Sequence, residues 1–183
     1  MPMRRLLLSA FAVAICTLSG SAAFQPARPL ERWHEIAWPF PRDGWPAGRA
    51  FHCTSELCGD EVEVYVRPKI GFCNCDSGVA DDGEVDRVTD LDLISERFVP
   101  REPGRVIRIA DMPGRLRTYD LQMSDGSRHA AVGMAVSRRC DLFVAVAQGK
   151  GTASALQRVA LDFLGLDAVT QWMTSALDGT LRH

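Results

Sequence analysis

Ala130-Ala131-Val132-Gly133-Met134-Ala135-Val136 and, after a short gap, Leu142-Phe143-Val144-Ala145-Val146-Ala147 decide the fold of this chain. Both alternating faces of each run are apolar, and a strand of that kind must be covered on both sides, so the pair belongs in the middle of a sheet. Working outward, Arg105 to Ala110, Arg115 to Met123, Ser127 to Val136 and Asp141 to Gln148 read as successive strands over 105–148. Ser124-Asp125-Gly126-Ser127 joins two of them as a hairpin turn, because an Asp-Gly pair tolerates positive φ.

Cover for one face follows directly. Ala155, Leu156, Val159, Ala160, Phe163 and Leu164 recur at helical spacing after a Thr152 cap. A second helix repeats the arrangement after Asp167, with Val169, Trp172, Met173, Ala176 and Leu177 on one side before Gly179. The expected fold is α+β: a mainly antiparallel sheet, two C-terminal helices over 152–178 packed on one face, and an irregular, cysteine-containing N-terminal region covering the other.

That region has two parts. Residues 24–48 carry Trp33, Trp38, Trp45 and Phe40 among Pro39, Pro41 and Pro46. Prolines forbid a long helix and large rings need cover, so an extended arm packed on the domain is expected. Residues 49–75 read as cysteine-rich hairpins: Val62, Val64 and Val66 alternate with polar neighbours, and a reversal at Pro68-Lys69 returns Ile70 to Cys75 along the same strand. The acid-rich stretch from Asp76 to Asp92 holds a short helix capped by Asp81 or Asp82.

Met1 to Arg5 is basic, Leu6 to Leu18 is apolar, and Ser21-Ala22-Ala23 offers a signal-peptidase site. Residues 1–23 thus read as a signal peptide, one domain spans 24–183, and the expected location is periplasmic or secreted. The apolar run is short for a membrane span, so no stable span is expected after cleavage. Removing residues 1–23 takes two positive charges, Arg4 and Arg5, from a net of −2 and leaves −4. Such a balance argues against nucleic acid as a partner, since that binding rests on a basic surface.

Cysteine carries the most specific signal in an exported chain, because thiols there oxidise in pairs. The hairpin reading gathers Cys53, Cys58, Cys73 and Cys75 at one end of the sheet as two disulfides, leaving Cys140 as the candidate free thiol. The alternative use of the same four thiolates, with His52 beside them, is a Cu or Zn site, since soft sulfur ligands suit both ions. The disulfide reading needs no metal or other cofactor.

Other constellations stop short of chemistry. His34-Glu35 starts like a zinc-protease helix, but Trp38 and Pro39 stand where the second histidine belongs. Aligning Gly83 with the glycine of a calcium loop puts Gly78, Ala80 and Thr89 at ligand positions. Gly149-Lys150-Gly151-Thr152 follows a strand and opens a helix, the setting in which backbone N–H groups hold an anion, and it is the candidate anion-binding turn. Arg97, Arg101, Arg105, Arg108, Arg115 and Arg117 lie close in sequence and suit carboxylate or phosphate partners, although Glu96, Glu102 and Asp111 sit among them.

No complete catalytic set emerges. The function expected first is therefore an exported, disulfide-stabilised accessory or binding protein, acting on a protein or small-molecule partner. A periplasmic metal-handling protein using the clustered cysteines stands second. An enzyme whose site is assembled from residues far apart in sequence stands third.

Overall fold

The computed structural model describes residues 31–41, 43–45 and 48–179; the expected leader and its cleavage point, Pro46 and His183 lie outside the described residues. The chain is α+β. Eight strands form one sheet: β1 (His34–Ile36), β2 (Arg49–Cys53), β3 (Val62–Lys69), β4 (Arg97–Pro100), β5 (Arg105–Ile109), β6 (Met112–Gln122), β7 (Arg128–Arg138) and β8 (Asp141–Gly149). Their spatial order is β1-β2-β3-β8-β7-β6-β4, with β5 also on β6, and the pairings are antiparallel.

The two apolar runs, 130–136 and 142–147, lie in β7 and β8, in the interior of the sheet. The Asp-Gly turn joins β6 to β7 as expected: Gly126 has φ +83°, and the Asp125 carboxylate accepts from the Ser127 N–H at 2.8 Å. Short connections of this kind make neighbours in sequence neighbours in the sheet.

Helices cover both faces. On one lie α4 (Ala153–Leu164) and α5 (Asp167–Leu177), whose Leu156, Ala160, Phe163, Val169 and Met173 pack on Val64, Met134, Phe143 and Ala145. Thr152 caps α4 by accepting from the Ala155 N–H, which satisfies one of the donors a helix start leaves open. Leu166, not Asp167, occupies the cap position of α5. The other face is covered by α2 (Asp82–Val88) and α3 (Leu91–Ile94), which bury Val85, Val88 and Leu91 against Ala131, Ala135, Val144 and Val146. Asp81 is the cap of α2, its carboxylate accepting from the Glu84 N–H at 2.9 Å. A single turn, α1 (Ser55–Cys58), links β2 to β3.

The aromatic arm divides between the faces. Trp33 is buried against Phe163, which also packs on Phe51, on the α4 side, whereas Trp38 packs on Tyr65 and Trp45 on Phe72 on the other.

The expected reversal at Pro68-Lys69 does not occur. β3 runs straight through Pro68, which is paired with Phe143. Pairing with β2 ends at Arg49↔Val66, so Pro68 lies where one side of β3 has no strand, and a residue without an N–H is tolerated at such an edge. Residues after Lys69 consequently continue to the end of the sheet occupied by the β7–β8 turn, since Lys69 pairs with Leu142. Cys73 and Cys75 therefore lie at the opposite end of β3 from Cys53 and Cys58.

Candidate functional site

Three places bring chemistry-bearing side chains together, and the first is the cysteine corner. Among the described residues the disulfides are Cys53–Cys58 and Cys75–Cys140, and Cys73 is the free thiol. This corrects the expected assignment, in which Cys73 was bonded and Cys140 free. The cause is the uninterrupted β3, which carries Cys75 to the β7–β8 turn where Cys140 sits. The four early thiols are separated by the length of that strand, roughly 20 Å at about 3.3 Å per residue, so with His52 they do not make one Cu or Zn site. Among the described residues no group of three or more His, Cys, Asp or Glu side chains is placed to hold a metal ion.

Around Cys73 the contacts are specific. Its N–H donates to the Cys140 carbonyl at 3.2 Å, and its Sγ lies 3.6 Å from the Arg139 carbonyl oxygen. Nearby, the Gly71 N–H donates to Asp141 Oδ1 at 2.6 Å. Burial pushes the Cys73 thiol above its ordinary value, and the charges of Asp141 and Glu84 push the same way.

At the opposite end of the sheet lies an open cleft of about 470 Å³, lined by His52, Asp60, Glu61, Glu63, Asp125, His129, Gln148 and Lys150. A hydrogen-bonded chain crosses its floor: Tyr65 donates to Glu63, Gln148 Nε2 donates to Glu63 Oε2 at 2.6 Å, and His129 Nδ1 meets Gln148 Oε1. Burial, then the neighbouring Glu63, push the Tyr65 hydroxyl well above its ordinary value, so it stays a donor. The Gly149-Lys150-Gly151-Thr152 turn stands at this cleft. Four carboxylates share it, and the Asp60 carboxylate occupies the space a Cβ on Gly151 would need. That field opposes an anion at the turn.

The acidic stretch and the arginine run, separate in sequence, meet in space. Arg67 is buried and makes a bidentate pair with Asp43, at 2.9 and 2.6 Å, and a third bond to Asp90 at 2.6 Å. Lys69, also buried, donates to Asp90 and to the Val88 carbonyl at 2.7 Å each. Burial opposes the Arg67 charge, but Asp43 and Asp90 more than offset it. Arg115 pairs with Asp82 at 2.6 Å, and Asp86 accepts from Arg117 at 2.5 Å and from Tyr119 at 2.6 Å.

What remains of the arginine run is the third place, the outer edge made by β4 and β5 along β6. Arg101 reaches Asp120 at 3.1 Å and Arg108 donates to the Asp111 carbonyl at 2.8 Å, while Arg97 and Arg105 are exposed and carry no carboxylate partner among the described residues. Val106 and Val99, 74% and 64% exposed, are the two most exposed large apolar side chains among the described residues. Sequence reading found β5 and the arginines but missed β4, because four residues show no periodicity. The signal for β5 was the alternation of Arg105, Ile107 and Ile109 against Val106 and Arg108.

No protein-family model matches the chain, and no curated protein matches it. Among solved structures it is similar to a Pseudomonas aeruginosa protein of unknown function whose description proposes it as a regulator. The likeness covers 73% of this chain and 85% of that one at 16% identity, with a TM-score of 0.41, and at that level it carries no argument about role.

Proposed function

We propose that this is an exported accessory protein that works by binding, and that its β4–β5 edge takes an extended acidic segment of a partner protein. The carrying observation is the composition of that edge. Two of the three exposed large apolar side chains among the described residues sit on it, beside Arg97 and Arg105, which no carboxylate of the described residues engages. Neither strand has a partner on its outer side among the described residues, so backbone donors and acceptors stand open for an added strand. Of the four arginines across residues 97–109, Arg101 is taken by Asp120 and Arg108 by the Asp111 carbonyl, and the remaining Arg97 and Arg105 favour carboxylates on the incoming strand. A second copy offering the same edge would set arginine against arginine, and like charges across a strand pair repel.

Export rests on different ground. The basic and apolar segments before Ser21-Ala22-Ala23 have the form of a signal peptide, and paired cysteines are what an oxidising compartment produces. Intact mass of protein recovered from a periplasmic extract tests it: cleavage after Ala23 and one alkylatable thiol before reduction, five after, are expected. An uncleaved chain or five thiols before reduction overturns export.

The binding test uses a fluorescein-labelled peptide of alternating Glu and Val, with a Lys-Val peptide as control. Anisotropy is expected to show salt-sensitive binding of the acidic peptide only, weakened about tenfold, or about 1.4 kcal/mol, by Arg97→Glu with Arg105→Glu. Equal binding of both peptides, no binding of either, or no effect of the double variant removes this edge as the site. Concentration-dependent self-association abolished by the same variant assigns the edge to a second copy instead.

A further inference from the structure

Cys73 is a free thiol held against an existing disulfide. Its N–H bonds directly to the Cys140 carbonyl, and its sulfur lies 3.6 Å from the carbonyl oxygen of Arg139, which belongs to the peptide group leading into Cys140. The Cα atoms of Cys75 and Cys140 are 4.2 Å apart, and Cys73, two residues before Cys75, is bonded through its own N–H to the same Cys140. Cys140 is thus bonded to one cysteine of the Cys73-Asn74-Cys75 segment through sulfur and to the other through its backbone.

We infer that Cys140 exchanges between these two partners, so that the corner is a thiol–disulfide exchange site with two covalent isomers. The Cys73 thiolate attacks Cys140 Sγ, the Cys75–Cys140 bond breaks as the Cys73–Cys140 bond forms, and Cys75 leaves as a thiolate that takes up the proton Cys73 gave to solvent. Two electrons move from sulfur to sulfur within the chain, and no external oxidant or reductant is consumed.

Three features make the two isomers comparable in free energy. The Cys75–Cys140 bond spans 65 residues, and the alternative spans two more, so the loop entropy is nearly unchanged. Between the two cysteines lies only Asn74, whose side chain accepts from the Asp76 and Ser77 N–H groups and organises the local turn. Gly71 and Gly78, both at positive φ, bracket the segment that must adjust. Cys75 is exposed and Cys140 half-buried, so the leaving thiol emerges toward solvent. The exchange converts a shielded thiol into an exposed one, which is a means of presenting a reactive cysteine without net reduction. Because burial and the charges of Asp141 and Glu84 keep Cys73 protonated, the rate rises with pH as the thiolate fraction grows.

Wild-type protein in its oxidised form is held at pH 8 and sampled with N-ethylmaleimide over hours, and the labelled residue is mapped by peptide mass. The expected label divides between Cys73 and Cys75, at least about a tenth of it on Cys75, and Cys140 stays unlabelled. Label confined to Cys73 throughout overturns the exchange. Cys75→Ser, oxidised with glutathione disulfide, supplies a second measurement: loss of its thiols to a Cys73–Cys140 bond supports the exchange, and two thiols still titrating overturn it. Cys73→Ser is expected to give no label at Cys75. Label there in that variant means that the native disulfide is opened by another route, which also overturns it.

Discussion

The two ends of the central sheet are built by opposite means. At the cleft end, Cys53–Cys58 closes a loop of five residues and the polar groups open to solvent as a shallow acidic basin. At the cysteine corner, Cys75–Cys140 joins segments 65 residues apart, and on the neighbouring residues of β3 the charges of Arg67 and Lys69 are buried among Asp43, Asp90 and aromatic rings. One end is stitched locally and stays wet. The other clamps sequence-distant elements over a largely buried ionic cluster, so substitutions there are expected to cost more.

The largest effect that comparison predicts is at Asp90. This carboxylate faces two buried cations; without it Arg67 keeps only Asp43 and Lys69 keeps no carboxylate, and leaving a buried charge unpaired costs about 3–5 kcal/mol. Asp90→Ala is expected at the upper end of that range in urea unfolding, whereas Glu61→Ala in the open cleft is expected to cost under about 1 kcal/mol. Similar losses at both positions would erase the distinction between the ends.

Next come the disulfides. In the chain-entropy account a bond contributes more when it closes a longer loop, about 4 kcal/mol for the 65-residue span and about 2 for the five-residue one. Calorimetry of Cys75→Ala with Cys140→Ala against Cys53→Ala with Cys58→Ala is expected to show the larger fall in Tm for the first pair. Cys140→Ala alone is expected to cost more than Cys75→Ala alone, because Cys73 can replace Cys75 and nothing replaces Cys140. Equal costs for the two single variants would sharpen the picture against the exchange.

A smaller effect belongs to Gly133, in the middle of β7. A Cβ there would meet the Thr89 hydroxyl and the Tyr119 ring at 3.1 Å, tighter than ordinary packing. Gly133→Ala is expected to cost about 1–3 kcal/mol by overpacking, as read by denaturant midpoint, since the end of α2 and β6 cannot both withdraw.

How much of this was legible in the sequence follows from the range over which each signal acts. The strands from β5 to β8 and both C-terminal helices show themselves through local periodicity, an Asp-Gly turn and a threonine cap, all contained within a few residues. β1 and β4 are too short for a period. Pro68 misleads because proline reads as an interruption until the length of β2 is known, and that one error displaced two cysteines to the wrong end. The site suffers in the same way: Arg67 finds Asp43 and Asp90 from 24 and 23 residues away, and only the docking of α2 shows that Asp82 and Asp86 consume Arg115 and Arg117 but leave Arg97 and Arg105. Composition announces arginines and acids; register decides which are spent.

The gentlest way to probe the ionic end is with acid. The Arg67 guanidinium beside Asp43 holds that carboxyl at about 2, below the 3.8 of the unfolded chain. A group whose folded pKa is depressed contributes stability that is complete above its unfolded value and is lost as pH falls through the folded one. The stability difference between wild type and Asp43→Asn is therefore expected at full size above about pH 4, shrinking steadily to nothing near pH 2. Because Asp43 is partly exposed, the difference is expected to be modest and to weaken with salt. Urea midpoints of both proteins at steps between pH 5 and pH 2 measure it. A difference that stays constant across that window would mean that Asp43 acts through packing of the arm and not through its charge, and would leave Asp90 as the sole carboxylate neutralising the buried pair of cations.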